Sequence, residues 1–259
     1  MLKYRILEQS HQLSDGRKVH RIQAVRDFGN VKEGEIGGFV EADDNLSHDG
    51  LCWIADNAVA LGRSRVSGDA LLRDRARISD RVMLADHCIV QDDARLNEFV
   101  FAYGHCTIGA QSILTGVVTV RDNALVLCRP RFSVSGKNQV PNLRGNVMVR
   151  DDARLEGGIS AQDDVTIAGR ATVRWHARLL EKAYIGGEAT IEGGAIIGEE
   201  AKILQRARIG GRTKIFGRVL IAGNVTILGK SYLTCNVYLF GHGTLQDVRL
   251  SGDVVKSIG

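Results

Sequence analysis

The stretch Ala183-Tyr184-Ile185-Gly186-Gly187-Glu188, Ala189-Thr190-Ile191-Glu192-Gly193-Gly194, Ala195-Ile196-Ile197-Gly198-Glu199-Glu200 repeats one pattern every six residues. A small residue opens each block, an aliphatic residue stands two places later, and turn formers follow. Stepping by six from Ile185, the aliphatic column runs back to Val149 through Leu179, Val173, Ile167, Ala161 and Leu155, and forward to Leu245. A second run, in another phase, is read from Ile36 through Ala42, His48, Ile54, Ala60 and onward to Val126 with no insertion. Apart from Ala42, Ala60, Ala102, Ala161 and His48, every position in the two columns is Leu, Ile or Val. The small position holds Ala58, Ser64, Ala70, Ala76, Cys88 and Ala94 in the first run and Ala171 to Ala207 in the second. Gly and Asn between them tolerate the positive φ of tight corners.

A period of six is too short for an α-helical or leucine-rich solenoid. It fits an all-β fold: a parallel β-helix with a short strand and a corner per hexad, and three hexads closing a triangular coil. The hexads make about eleven coils, roughly 50 Å long at the spacing of paired strands. Composition agrees. Thirty glycines stand against two prolines, and only 5% of residues are aromatic although 44% are apolar. Glycine turns the corners, while proline would remove a ladder hydrogen bond. Both prolines, Pro130 and Pro141, fall in the one long break between the runs.

The expected organisation is a capping hairpin over residues 1–35, with strands at 3–9 and 18–28 around Ser14-Asp15-Gly16. The first β-helical part follows at 36–126, an inserted loop at 127–148 and the second part at 149–247. A tail at 248–259 would close the far end. A hairpin cap protects an open edge strand, and loops on a rigid solenoid are common places for function. The start carries no signal-peptide core and no apolar run is long enough to span a bilayer. Five cysteines without a CxxC pair suit a reducing cytoplasm. The balance of 34 basic against 30 acidic residues, formally +4, is too mild to point to nucleic acid.

The residues Asp27-Phe28, Val31-Lys32, Gly34, Gly37-Gly38-Phe39-Val40, Asn45-Leu46-Ser47, Gly50, Cys52-Trp53-Ile54 and Asp56-Asn57-Ala58 closely resemble the start of the YdcK-type bacterial hexapeptide-repeat proteins. Members usually carry Trp where Phe39 stands. The resemblance implies a left-handed coil, the exception to the right-handed crossover rule. It also implies a label of acyltransferase, by likeness to the wider hexapeptide superfamily. Those enzymes are typically homotrimers, with acyl-CoA along the prism at a subunit interface and a loop histidine as general base. The implication rests on fold, because the repeat itself carries no chemistry.

Residues 18 apart stack in successive coils, so columns can be read directly. His87 and His105 share an exposed corner column, above Asp69, and are weak candidates for a metal. The alternative there is a solvated polar ladder. Trp175-His176 sits at a corner flanked by Gly157-Gly158 and Gly193-Gly194, with Arg174, Glu156 and Glu192 on the adjacent face. A His176 base oriented by a glutamate is one reading, with His105 as a second catalytic candidate; the other is an exposed corner with glycines chosen for the backbone. Trp175, Arg174, Glu192 and the loop residues Arg131 and Lys137 are the candidate substrate- or cofactor-binding set. Cys52, Cys88 and Cys106 read as small core residues, and His48 as a capped core residue. Outward apolar residues Tyr184, Leu204, Leu220, Tyr238, Phe240 and Phe216 form a continuous surface in the second run, which usually marks an interface.

Three functions follow as expectations. One is an acyl-CoA-dependent acyltransferase, O- or N-directed, in a homotrimer joined through the C-terminal half, with its site at a subunit interface near the 127–148 loop, His176 or His105 as base, and acyl-CoA as co-substrate and no other cofactor. A second is a non-catalytic oligomeric scaffold or a β-helix that binds another macromolecule, with a protein as the possible partner. The weakest is metal-dependent hydration at the His87/His105 ladder.

Overall fold

A computed structural model describes residues 2–129 and 142–259; both prolines, Arg131 and Lys137 lie outside the described residues. The fold is all-β: in each of two units parallel strands wind into a β-solenoid, about 12 turns in all, with the organisation of a left-handed β-helix. Among the described residues the one helical element is a single 3-10 turn, Asp43–Asn45, and no helix is long and apolar enough to cross a membrane.

Each hexad supplies a strand as short as two residues, such as Tyr184–Ile185, Thr190–Ile191 and Ile196–Ile197. Tyr184 pairs in parallel with Lys202, and that with Leu220. The Tyr184 N–H donates to the Ala201 carbonyl at 2.9 Å, and Lys202 repeats this to Val219 at 2.7 Å. The aliphatic column is fully buried: Ile185, Ile191, Ile197, Ile203 and Ile209 are each 0% exposed. Each such side chain contributes about 1.5–3 kcal/mol on burial. The small residue closes the corner, as where the Ala201 N–H donates to the Gly198 carbonyl at 3.3 Å.

The corner recurs every six residues with positive φ at its first central position, the φ pattern of a type II′ turn. Glycine is one solution. Aspartate is the next most frequent: Asp56, Asp74, Asp86, Asp92 and Asp151 have φ between 54° and 61°, while Glu98, Ala110, Trp175, Glu181, Glu199, Gln205 and Cys235 take the remaining corners. The expectation assigned this conformation to Gly and Asn; in Asp56-Asn57 it is Asp56 that adopts it. The carboxylate repays the strain by accepting the corner N–H of the next coil. Asp56 accepts from Asp74 at 3.1 Å, Asp74 from Asp92 at 3.0 Å, Asp86 from Gly104 at 3.0 Å and Asp151 from Gly169 at 2.8 Å.

The chain divides into two units, the first ending at Asp122 and the second running Asn123–Gly259. The first opens with an antiparallel hairpin, β1 (Tyr4–Gln12) and β2 (Lys18–Ala24). β2 pairs with β3 (Ile36–Val40), and β3 pairs in parallel with Val59–Ala60. The inward column begins at Val40 and Leu46, not at Ile36, Ala42 and His48 as the period suggested. Ile36 is 48% exposed, whereas Val40 and Leu46 are 0% and 2%. Val40 pairs with Ala60 and Leu46 bridges to Val66, two residues beyond the regular step, so a short insertion before Cys52 resets the phase. His48 instead lies beneath the hairpin. Its ring stacks on Tyr4 at 4.3 Å, and its Nδ1 accepts the Lys3 N–H at 3.2 Å. The buried Lys3 ammonium donates to the Cys52 carbonyl at 2.9 Å and lies 3.2 Å from the Cys52 thiol. Cys52, Cys88 and Cys106 are buried, as read.

In the second unit the strands Leu125–Cys128 and Asn142–Val149 both run into the segment expected as a loop over 127–148. Leu143, 1% exposed, extends the second column one hexad earlier. Leu125 pairs with Arg154, and the nearby Asn123–Asp152 hydrogen bond spans 29 residues instead of the regular 18. At the other end the tail stays in the ladder: Asn236 pairs with Asp253 and Tyr232 with Arg249. The ladder shortens there by a single residue, the step being 17.

Two glycines in the second unit test the corner argument. Gly223 has φ +82°, and a Cβ there would lie 2.3 Å from the Gly241 carbonyl oxygen; at Gly194, where φ is ordinary, the nearest atom would be 3.7 Å away. Gly223→Ala is expected to destabilise by about 1–3 kcal/mol in urea unfolding, and Gly194→Ala by less than about 1 kcal/mol. Equal losses at both would contradict the corner account.

Candidate functional site

The strand Thr172–Trp175 presents Arg174 outward and ends on the corner residue Trp175. Arg154, Thr172, Thr190 and Arg208 align on this face through pairings at the 18-residue step. Glu156 pairs with Arg174 and Gly157 with Trp175. Trp175 carries φ 67° and is 51% exposed. Among the described residues it is the one aromatic residue at positive φ. A bulky L residue there is a strained choice, costing about 1–3 kcal/mol, where most other corners use Gly or Asp.

The surroundings hold the indole in place. The Arg174 guanidinium lies over the Trp175 ring, 4.8 Å from its centroid. Glu192 in turn holds Arg174, accepting from its Nε at 2.9 Å and also from Nη2. Arg208 approaches the other Glu192 oxygen at 3.8 Å, and the Glu192 side chain is only 15% exposed. The sequence offered a glutamate as partner of His176; the structure gives the Glu192 carboxylate to the two arginines. His176 is half-buried and its backbone N–H donates to the Gly193 carbonyl at 3.0 Å. Gly158 makes room for the imidazole, since a Cβ there would sit 3.0 Å from His176 Nδ1. The arrangement therefore offers a planar ring, the Arg174 and Arg208 guanidinium groups around Glu192 with Glu156 alongside, and a neighbouring imidazole. Such a surface suits a ligand with an aromatic ring and anionic groups.

His105 belongs to the first unit, on the column with His87. Their rings are 4.6 Å apart, and His87 Nε2 lies 3.8 Å from Asp69 Oδ2. Among the described residues no three His, Cys, Asp or Glu side chains are grouped to hold a metal ion. Arg131 and Lys137 fall outside the described residues.

The outward apolar residues lie on two faces of the second unit. Tyr184, Leu220 and Tyr238 share one row with Lys202 among them. Part of this surface is already covered within the chain: the Tyr184 ring lies over Gly186, and Phe216 over Gly198 beside Leu180. Tyr238 and Phe240 remain 38% and 36% exposed, with rings 5.3 Å apart. The sequence reading missed an apolar group in the first unit, Met83, Phe99, Tyr103 and Val117, all well exposed. Its signal is the same column rule, because Met83 pairs with Phe101 and Phe99 with Val117 at the 18-residue step.

No protein-family model matches the chain. Over 95 residues it is 33% identical to a protein of Escherichia coli (strain K12) named uncharacterized acetyltransferase YdcK. The match takes in 34% of this chain and 29% of that relative, so the chain spans less than a third of the relative's length. The likeness and the β-solenoid together are consistent with a hexapeptide-repeat protein of acyltransferase-like type.

Proposed function

We propose that the chain is an acyl-CoA-dependent acyltransferase acting as a homotrimer, with the Trp175 corner as its donor-binding surface. The observation that carries this reading is a strained, half-exposed Trp175 held beneath Arg174 by Glu192. The indole suits stacking against an adenine ring, and Arg174 and Arg208 suit the phosphates of a coenzyme A thioester. The bound thioester would supply an activated acyl carbonyl. His176 would take the proton from an acceptor hydroxyl or amine as that group attacks, and return it to the departing thiolate. The corner is open on one chain, and a second subunit seated on the Tyr184, Leu220, Tyr238 and Phe240 face would give it a wall.

A second reading has its own observation. The exposed Met83, Phe99, Tyr103 and Val117 of the first unit favour a scaffold that binds another protein without catalysis.

Trp53 is 3% and Trp175 51% exposed, so Trp175 fluorescence in a Trp53→Phe variant reports on the corner. Acetyl-CoA is expected to quench it saturably. His176→Ala should cut turnover with an amine or hydroxyl acceptor about 100-fold or more, with binding changed less than about threefold. No saturable quenching, or full turnover in His176→Ala, would overturn the enzyme reading in favour of the scaffold. Light scattering should give three times the chain mass, falling to one in Tyr238→Glu/Phe240→Glu; a monomeric parent chain would exclude the trimer.

A further inference from the structure

The first unit contains a cleft of about 580 Å³ between the hairpin turn and the solenoid face. Its walls carry Arg17 and Asp15 from the turn, Arg75, Arg77 and Arg95 from successive coils, and Asp93. The turn is docked on that face by Leu13 packing against the buried Val19, Val59 and Leu61, and by Arg77 Nη2 donating to Asp15 at 2.7 Å.

Charge accounting separates the arginines. Asp15 is occupied twice, by Arg77 and by Arg17, whose Nη2 donates at 2.8 Å. Asp93 is held bidentately by Arg75, at 2.7 and 2.8 Å. The arginine hydrogen bonds hold the carboxyl groups of both Asp15 and Asp93 below the usual range, Asp15 at about 2, so both are ionised at neutral pH. Four guanidinium groups thus stand against Asp15, Asp93 and Glu41, the last 4.0 Å from Arg17, and Arg95, exposed at the start of its strand, forms no ion pair among the described residues although its charge acts on Asp93. Beside it, Ser79 Oγ donates to Asn97 Oδ1 at 2.9 Å, which leaves the Asn97 amide NH2 as a neutral donor.

A concave space of this volume lies in the range of small-molecule sites. Its polar lining and positive surplus select an anion, and a guanidinium outside any ion pair beside an amide donor matches the oxygens of a phosphoryl group. We infer that this cleft binds the phosphate monoester of a small polar molecule, with Arg95 as the anchoring cation. This site lies in the hairpin-bearing unit and stands independently of the acyltransferase reading, which concerns Trp175.

Calorimetric titrations with inorganic phosphate and with glycerol phosphate test it on the full chain at low salt. Both are expected to bind saturably. Arg95→Gln should weaken binding at least tenfold, Arg95→Lys should recover part of the loss, and Arg178→Gln, on the other unit, should leave it unchanged. Unaltered melting curves for the Arg95 variants would show that the loss is local, since Arg95 supports no ion pair. Absence of saturable binding by the parent chain, or Arg95→Gln binding within twofold of it, would overturn the assignment. A phosphoserine peptide binding more than tenfold tighter than either small phosphate would overturn the small-molecule class.

Discussion

Every six residues this chain must turn a corner through positive φ, and every corner must stack on another one coil away. That constraint governs the rest. The inward aliphatic residues can be almost any of Ile, Leu and Val because they fill a stacked interior. The corner admits few solutions. Glycine meets it by having no Cβ, and at Gly223 a Cβ would collide with the carbonyl of Gly241. Aspartate meets it by turning its own side chain into a bond to the next coil, as in the series Asp56, Asp74, Asp92, which ends on the N–H of Ala110 at 2.6 Å. The scarcity of proline has the same origin, because each coil's N–H groups are spent on the carbonyls of the next.

Set against that constraint, Trp175 is the exception. Like Ala110 and Cys235 it takes positive φ with no carboxylate to recover the strain, but among the described residues it alone does so with an aromatic side chain, and it leaves half its surface in water. Glycine neighbours at 157 and 193 would suit any corner; a tryptophan suits none on structural grounds. The ion-paired Arg174 and Glu192 make its orientation rigid, as a binding surface requires. Strain persisting at an exposed, pre-organised aromatic group is the pattern that points to ligand recognition.

The repeat was legible because its period is short and its aliphatic residues are almost uniform. What stayed hidden follows from what a period omits. Ile36 fits the column by identity yet lies exposed, because a two-residue insertion near Gly50 changes the phase without breaking the hydrophobic pattern. Aspartate at positive φ was missed because its compensation, a bond to an amide 18 residues on, exists only after the coils stack. Trp175 was found from its glycine neighbours, but the partner of Glu192 was not: the sequence places His176 and Arg174 equally near, and the pairing within the face selects Arg174. The arginine cleft joins Arg17 to Arg95 through the docking of the hairpin, a contact no repeat encodes.

The most direct test of the account is to replace Trp175 by glycine. Glycine relieves the positive-φ strain, worth about 1–2 kcal/mol, and forfeits the Arg174 contact, worth about 0.5–1 kcal/mol, together with the burial of the half of the indole that is out of water. These terms nearly cancel, so Trp175→Gly should melt within a few degrees of the parent chain while binding acetyl-CoA at least tenfold more weakly by calorimetry. A variant that melts several degrees lower yet binds acetyl-CoA as the parent does would show that Trp175 serves the fold and not the ligand.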